Sequence, residues 1–512
     1  MVRQAQSFFS KIIPAHRALQ DDIAERIESE RWAKDAVADK LSEMGVENLS
    51  KDDFESYAHE AATVYTLKTL FLKVAEDKRF MRRAHVHKVR QRATVYHELF
   101  DSIAKNMTWG EYLEYAFRDI AYKDIAFDLF KETPYELVPP SDGLAQKLLT
   151  AVDELGDLSA IETALIGDLY EHLMDETERK RLGYYTTPDF IIEFLLDKTL
   201  EPAFDDWHFS DIRYLDPACG TGHFLVRAYR RFLQRYRDDN SMTELEIFKR
   251  VMENNIFGID VSEFAARITL FRLMLEGLDA KNRDAKRGHM QEYPDVSFNV
   301  FVANSLIRLP SEEEGMLPGI DKPLKYEEDS IARYYKKEIS HLKVDLADAL
   351  NHKFHVINAN PPYVRVQRNV ESVSIPNADG SWEQMDYLEY LRENYDSAYY
   401  NFDLSVPFLE RSIDLLTTEG KGGYLGFITT GKFAKQNYGK KLIEVLNSKA
   451  QLKVIADLTD AKVFDAGAYP MLLVLQRKNH PDLNADVEIM ATYQPKESRQ
   501  ETWKHIATVL EA

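Results

Sequence analysis

The stretch of sequence with the clearest chemical potential is Phe-His-Val-Ile-Asn-Ala-Asn-Pro-Pro-Tyr-Val-Arg, residues 354–365. An apolar run ends here in two prolines, which stiffen the chain because proline has a fixed φ and no backbone N–H. Asn360 offers a side-chain oxygen, and the restrained backbone aims the carbonyl of Pro361. Tyr363 adds a flat ring face on which a planar group can stack. Taken alone, this corner is more simply a rigid turn with a packed tyrosine, so its meaning depends on the rest of the sequence.

A second candidate site is Tyr-Leu-Asp-Pro-Ala-Cys-Gly-Thr-Gly-His-Phe-Leu, residues 214–225. The pattern predicts a strand that ends at Asp216, then a glycine turn and a helix. In a doubly wound sheet a ligand lies at such a position, over the carboxyl ends of the strands. Gly220 and Gly222 allow the backbone to approach that ligand closely. The third glycine of a dinucleotide-binding fingerprint is replaced by Leu225, so a pyrophosphate is not the expected ligand.

Two further strand ends carry polar side chains. Asp260 closes the run Ile-Phe-Gly-Ile-Asp, where an acidic residue accepts hydrogen bonds from ribose hydroxyls. The same residue could instead cap the helix that follows, and local sequence favours neither reading. Asn304, at the end of the next apolar run, could reach an adenine edge or form a plain turn. Three polar strand ends that converge on one edge of a sheet indicate an adenosine-bearing ligand.

These motifs, in this order, resemble the S-adenosylmethionine-dependent amino-methyltransferases of DNA whose cofactor motif precedes the catalytic motif. An upstream Gly-Tyr-Tyr-Thr-Thr-Pro, residues 183–188, completes a similarity that spans residues 175–480. The resemblance implies that this segment covers the methionine part of the cofactor, although many members read Tyr-Tyr-Thr-Pro, which leaves the role of Thr186 open. A helix start with Thr187 as N-cap and Pro188 in the first turn also explains the segment. The cofactor-binding residues implied by the resemblance are Tyr185, Thr186, Thr187, Asp216, Ala218, Cys219, Gly220, Gly222, Asp260, Asn304, Ser305, Asn360 and Asp403.

The resemblance implies methyl transfer to N6 of adenine, with Asn360, Pro361, Pro362 and Tyr363 as catalytic residues. An exocyclic amine is a poor nucleophile because its lone pair is delocalised into the ring. Two acceptors that hold both N–H bonds turn that lone pair toward the sulfonium methyl, so the rate comes from orientation and aligned dipoles. The base must leave the duplex to enter the pocket. It is expected to stack on Tyr363 and Phe464, although Phe464 could also be an ordinary core aromatic.

Related chemistry limits the alternatives. Methylation of cytosine at C5 needs a thiolate nucleophile, and the only cysteine, Cys219, lies inside the glycine turn. Methylation of cytosine at N4 remains open because that amine is chemically alike, although asparagine at position 360 leans toward adenine. Methylation of a protein glutamine also remains open, but the enzymes that perform it are shorter and lack the upstream motif. A non-enzymatic subunit with a decayed site is disfavoured by the intact motif residues.

The charge of the chain constrains how it meets DNA. A net charge of -20 opposes tight binding to duplex DNA by this chain alone. Arg365, Arg368, Lys432 and Lys435 are candidate phosphate contacts, and each is equally well explained as a solvated surface charge. Double-stranded DNA is the expected substrate, and a specificity subunit or another defence-system subunit is the expected partner.

Three parts are expected along the chain. Residues 1–175 have helical periodicity and predict an all-helical N-terminal domain, in which Ala-Glu-Asp-Lys lacks the preceding acidic strand of a metal nuclease. Residues 176–480 alternate strands with helices, which predicts an α/β fold with a mainly parallel, Rossmann-like S-adenosylmethionine-dependent methyltransferase sheet. Residues 481–512 are expected to be a short tail without a target-recognition domain. This organisation resembles a type I modification subunit or a type IIG-like methyltransferase region.

Composition fixes the expected compartment. One cysteine allows no internal disulfide, which favours a reducing environment. No apolar run reaches the about 18 residues that a membrane helix needs. A cytoplasmic protein without a metal site is therefore expected.

Overall fold

The structure is a computed structural model, and it describes most of the chain in two compact units, residues 1–174 and 175–512. The described residues are 2–43, 49–80, 84–87, 107–121, 130, 133–174, 187–238, 242–289, 296–308, 346–365, 372–376, 382–434, 436–458, 470–482 and 485–491. No helix in these ranges is long and apolar enough to cross a membrane.

The first unit is helical in its described part. Its helices are α1 (Val2–Ser29), α2 (Arg31–Glu43), α3 (Lys51–Asp77), α4 (Trp109–Ala121), α5 (Asp142–Asp153) and α6 (Thr163–Leu173). A capping box between Ser50 and Asp53 starts α3, which is buried along most of its length and packs against α1, α4 and α5. Glu76, in the Ala-Glu-Asp-Lys segment, accepts backbone N–H groups of His85, Val86 and His87. That carboxylate therefore anchors a loop, and no His, Cys, Asp and Glu side chains in the described ranges are grouped to hold a metal ion.

The second unit is built on one twisted sheet of eight strands. These are β1 (Tyr214–Asp216), β2 (Ile256–Asp260), β3 (Asn299–Val302), β4 (Val356–Ala359), β7 (Tyr424–Thr430), β8 (Ala450–Asp457), β9 (Pro470–Arg477) and β10 (Glu488–Ala491). Their order is β10-β8-β9-β7-β4-β1-β2-β3, and every pairing is parallel except those of β9. The predicted α/β fold with a mainly parallel sheet and helices before it is confirmed.

Helices cover both faces of this sheet. On one side lie α7 (Asp189–Asp206), α8 (His223–Asp238), α9 (Glu244–Asn254) and α10 (Glu263–Lys286); on the other lie α11 (Leu346–Asn351), α12 (Tyr387–Asn394), α13 (Ser405–Leu415) and α14 (Gly439–Lys449). Successive residues of a strand enter opposite cores, as Tyr214 and Leu215 do. Burial of both faces explains why the strands are continuous apolar runs in the sequence.

Two elements lie in segments for which no strand was predicted. The long polar connection after the proline corner contains a separate hairpin, β5 (Ser372–Pro376) and β6 (Trp382–Asp386), that leads directly into α12. The 481–512 segment contributes β10, which extends the sheet by pairing in parallel with β8. The segment expected to be a short tail thus contains an edge strand of the sheet.

The chain changes direction between β1 and β4, and this fixes the position of the site. After β1 it continues to β2 and β3 on one side, whereas after β4 it continues to β7 on the other. Leu215 of β1 lies opposite Ile357 of β4 in parallel register, so both strands end side by side. Such a switch point opens a crevice at the carboxyl ends of the strands, where ligands bind in α/β sheets.

Candidate cofactor and catalytic site

The glycine turn after β1 follows a tightly constrained path. Gly220 and Gly222 have φ values of 52° and 81°, in the left-handed region that favours glycine. The N–H of Cys219 donates to the carbonyl of Ile259 on β2 at 2.9 Å. A Cβ at Gly222 would lie 2.8 Å from both Cγ2 and Oγ1 of Thr269. The turn therefore needs glycine at position 222 for both its backbone conformation and its packing.

Helix α10 supports the turn with two polar side chains that sequence reasoning missed. The Thr269 hydroxyl donates to the Gly220 carbonyl at 2.8 Å, and the buried guanidinium of Arg272 donates to the Thr221 carbonyl. Both side chains are almost fully buried. The available signal was Arg272 itself, a charged residue inside the apolar run Ile-Thr-Leu-Phe-Arg-Leu-Met-Leu.

Two carboxylates lie at the ends of the neighbouring strands β1 and β2. Asp216 is 2% exposed, and its carboxylate accepts the N–H of Ala218 at 3.1 Å. Asp260 accepts the N–H groups of Gly220 and Ser262, each at 2.8 Å, so it ties β2 to the glycine turn. Ser262, not Asp260, is the N-cap of α10. The helix-cap alternative for Asp260 is therefore wrong.

Burial perturbs both acids. It raises the pKa of Asp260 to about 6, against the lowering effect of its backbone hydrogen bonds. It also raises the pKa of Asp216 well above the ordinary range, and the charge of Asp260 adds to the effect. Burial likewise raises the pKa of the Cys219 thiol, which keeps it protonated and unsuited to act as a nucleophile.

The end of β3 joins the same edge. Ser305 is buried and its hydroxyl donates to the carbonyl of Pro217 in the glycine turn. The side-chain oxygen of Asn304 accepts the N–H of Leu306 at 3.0 Å, and its Nδ2 donates to the Tyr387 hydroxyl at 3.0 Å. Asn304 thus forms a local turn, which was one of the two alternatives that the sequence left open. It lies at the edge of the sheet where the adenine contact, the other alternative, was predicted.

The proline corner follows β4 directly. Pro361 is buried, Asn360 and Pro362 are half-buried, and the ring of Tyr363 packs against the core beside α7. The Asn360 amide donates from Nδ2 to Oγ1 of Thr187 at 2.9 Å, and the Tyr363 hydroxyl donates to Oδ1 of Asn360. Because β4 pairs with β1, the corner and the glycine turn lie at the ends of adjacent strands.

The start of α13 packs beside the corner. The N–H of Leu404 donates to the carbonyl of Val364 at 2.8 Å. Asp403 is buried and accepts the N–H of Ser405 at 3.1 Å. Burial raises the pKa of Asp403, while hydrogen bonds from Ser405 and the charges of Lys432 and Arg365 lower it. Lys432 and Arg365 are exposed and therefore available to solvent close to the corner.

Some predicted residues lie elsewhere or cannot be placed. The N-cap of α7 is Pro188, without a side-chain capping bond, so the prediction of Thr187 as N-cap is wrong. The hydroxyl of Thr187 bonds to Asn360 instead. Tyr185, Thr186, Arg368, Lys435 and Phe464 lie outside the described residues.

The sheet order and the switch point between β1 and β4 define the Rossmann-like methyltransferase sheet that the sequence predicted. Residues 254–464 match the family model described as Eco57I restriction-modification methylase. Residues 162–307 match the model described as N-6 DNA methylase. The predicted relationship to the N6-adenine DNA methyltransferases of restriction-modification systems is confirmed.

Curated relatives agree with these matches. The chain is 26% identical over 449 residues to an adenine-specific methyltransferase, PglX, of Streptomyces coelicolor, covering 82% of this chain and 35% of that protein. It is 24% identical over 360 residues to the type II restriction enzyme and methyltransferase RM.Eco57I of Escherichia coli, covering 64% of this chain and 32% of that protein. The chain thus spans about a third of the length of these relatives.

Solved structures show the same fold. The DrdV–DNA complex superimposes with a TM-score of 0.56 at 12% identity, covering 99% of this chain and 44% of that chain. The ATP-dependent type ISP restriction-modification enzyme LlaBIII bound to DNA gives a TM-score of 0.52 at 15% identity, covering 98% of this chain and 30% of that chain.

Proposed function

We propose that this chain transfers a methyl group from S-adenosylmethionine to N6 of a flipped adenine in DNA, as part of a restriction-modification or phage-defence system. The observation that carries the proposal is the pairing of β1 with β4, which brings the glycine turn and the Asn-Pro-Pro-Tyr corner to one crevice. A methyl donor and a methyl acceptor must meet in this way. The matched families and relatives support the choice of adenine.

The residues around the glycine turn fit S-adenosylmethionine. A side chain at Gly222 would collide with Thr269, so only backbone borders a ligand there. The buried carboxylates of Asp216 and Asp260 suit a ligand that brings hydroxyl donors and positive charge. Asp260 is assigned to the ribose hydroxyls, and Asn304 and Ser305 to the adenine side of the crevice. When bound, the cofactor supplies an activated methyl group on a cationic sulfur.

The corner residues are assigned to the substrate amine. Asn360 Oδ1 and the Pro361 carbonyl accept its two N–H bonds, which turns the nitrogen lone pair out of the ring plane. Pro362 keeps the second carbonyl in place, and Tyr363 stacks on the base. As the new N–C bond forms, the bond between the methyl group and sulfur breaks, its electron pair neutralises the sulfur, and the amine nitrogen loses one proton to water. These residues act by orientation and hydrogen bonding alone, without covalent attachment to the base.

Affinity for S-adenosylmethionine is expected to fall as pH decreases through about 6, the value to which burial raises the pKa of Asp260. The ionised carboxylate accepts ribose hydroxyls, whereas the protonated form offers one acceptor fewer. The effect of Asp260 on the free energy of unfolding has the opposite pH dependence. Because its pKa in the folded protein lies above the ordinary 3.8, Asp260 stabilises the folded state below pH 3.8. That stabilisation is lost as pH rises through about 6. Calorimetry from pH 5 to pH 7.5 measures the first effect.

Asp260→Asn is the matched control for that titration. It is expected to bind the cofactor more weakly at pH 7.5 and to lack the change centred near pH 6. A wild-type affinity that stays constant between pH 5 and pH 7.5 would contradict the assignment of Asp260.

Sequence recognition is proposed to reside outside these 512 residues, in a recognition domain or a specificity subunit. Two observations support this: a net charge of -20, and relatives of which this chain spans only about a third of the length. Lys432 and Arg365, and beyond the described residues Arg368 and Lys435, are proposed phosphate contacts that hold DNA near the corner. Because the proposed substrate is DNA, we propose that the protein acts in the cytoplasm.

The decisive experiment compares genomic DNA from the producing organism with and without the gene, by sequencing that detects modified bases. We expect N6-methyladenine at one recurrent sequence, and its loss on deletion. N4-methylcytosine at a recurrent sequence would assign the other amine, and unchanged DNA with a methylated protein glutamine would assign the protein substrate. Either outcome overturns the proposed reaction. Calorimetry with the purified chain tests cofactor binding independently of the substrate.

A further inference from the structure

Two threonine–asparagine hydrogen bonds join α7 and the residue pair before it to β4 and the corner that follows β4. Thr199 bonds to the Asn358 amide at 3.2 Å, inside the core where both side chains are fully buried. Thr187, at the other end, accepts from Nδ2 of Asn360 at 2.9 Å. Asn358 lies in β4 and Asn360 directly follows the strand, so the alternation of an extended chain directs both side chains toward the face that α7 covers. The second pair repeats the first, but at the rim of the proposed catalytic crevice.

The two ends of the Asn360 amide have different partners. Nδ2 can only donate, and it meets Oγ1 of Thr187, which is 7% exposed. Oδ1 can only accept, and it meets the hydroxyl of Tyr363. A phenol is a stronger donor than acceptor, so Tyr363 selects the oxygen end of the amide and Thr187 receives the nitrogen end. The amide is thereby held in one of its two orientations.

The hydroxyl of Thr187 has no role in starting α7. The N-cap is Pro188, and no side chain caps the first turn. The hydroxyl is therefore directed at a residue 173 positions away in the sequence. A local explanation for a threonine at this position is thus missing.

We propose that Thr187 is a positioning residue that fixes the amide orientation of Asn360 for methyl transfer. This inference rests on the proposed function, and it assigns Thr187 to the catalytic asparagine where the resemblance implied cofactor binding. With Nδ2 held by Thr187, Oδ1 faces the crevice, and a carbonyl oxygen has two lone pairs that can accept from Tyr363 and from a substrate amine together. In the reversed orientation the amide would present its own N–H to the N–H of the substrate.

Thr187→Val, which keeps the shape but removes the hydroxyl, tests the proposal in the natural full-length protein. We expect the kcat for DNA methylation to fall about 10- to 100-fold, the range caused by small misplacements of catalytic groups. The Kd for S-adenosylmethionine should stay within about twofold of wild type, because the lost contact is to Asn360 and not to the cofactor. Thr187→Ser, which restores an acceptor, should recover most of the lost rate.

Thr199→Val is the matched control, because it removes a threonine hydroxyl that bonds to an asparagine two residues before Asn360, inside the core and away from the crevice. It should lower the melting temperature and leave kcat within about twofold. In a background of Asn360→Ala, adding Thr187→Val should cause no further loss, since two residues that act through one contact are not additive. Two results would overturn the positioning role. One is a kcat of the double variant that falls by the product of the two single losses. The other is an affinity for S-adenosylmethionine that falls together with kcat in Thr187→Val.

The failure of this inference differs from failure of the proposed function. A full-length protein that methylates DNA, with a Thr187→Val variant equally active, overturns only the role of Thr187. A full-length protein that binds S-adenosylmethionine and methylates no DNA overturns the proposed function and this inference with it.

Discussion

Asn360→Ala is expected to lower the kcat for DNA methylation by about 10²- to 10³-fold, the usual loss when one aligned hydrogen-bonding group is removed from an active site. The Asn360 oxygen is assigned to one of the two N–H bonds of the amine, so without it the lone pair stays conjugated with the ring. Radiolabelled methyl transfer to DNA that contains the recognition sequence, under saturating cofactor, measures the effect. The measured loss of kcat reports on Asn360, because the other residues of the corner are unchanged in this variant.

The same substitution should leave cofactor binding nearly unchanged. The Asn360 side chain bonds to Thr187 and Tyr363, whereas the glycine turn is held by Asp260, Thr269 and Arg272. We therefore expect a Kd for S-adenosylmethionine within about threefold of wild type and a melting temperature lower by a few degrees, because two part-buried hydrogen bonds are lost. A variant that turns over within tenfold of wild type would exclude Asn360 as an acceptor for the amine.

The sequence was sufficient to place the two halves of the site because each half ends a strand. Asp216, Asp260 and Asn360 all follow apolar runs that can be recognised locally, and parallel strands bring their carboxyl ends to one edge. Motif order then indicated the resemblance to the DNA amino-methyltransferases. The prediction of a shared crevice thus depended on a few residues and a general rule of sheet topology.

The remaining parts depend on contacts that leave no local signal. Thr269 and Arg272 lie on a helix whose sequence predicts burial. Their polar groups donate hydrogen bonds to carbonyls of the glycine turn, which lies far away in the sequence. The bond between Thr187 and Asn360 joins residues 173 positions apart, while the sequence around Thr187 is typical of a helix cap. Strand β10 is short and half exposed, so its pattern was too weak to distinguish from a tail.

Gly222→Ala is expected to weaken S-adenosylmethionine binding by at least about 100-fold and to lower the free energy of unfolding. An L-residue at its φ of 81° costs about 1–2 kcal/mol, and the added methyl group, 2.8 Å from two atoms of Thr269, adds about 1–3 kcal/mol of overpacking. The turn can relieve this collision only by moving away from α10, which shifts the backbone that borders the cofactor. Calorimetry and thermal melting of the purified chain measure the two effects.

Gly288→Ala separates backbone strain from collision in the same protein. Gly288 also has a left-handed φ, 89°, but a Cβ there would meet no atom of the described residues within 4 Å. This variant should lose only the strain term, about 1–2 kcal/mol, and should bind the cofactor like wild type. In a Thr269→Ala background, Gly222→Ala should cost less than in the wild type, because the colliding atoms are gone. If instead Gly222→Ala binds S-adenosylmethionine as tightly as Gly288→Ala does, the backbone of this turn does not border the cofactor, and the carboxylates of Asp216 and Asp260 would need another explanation for their burial.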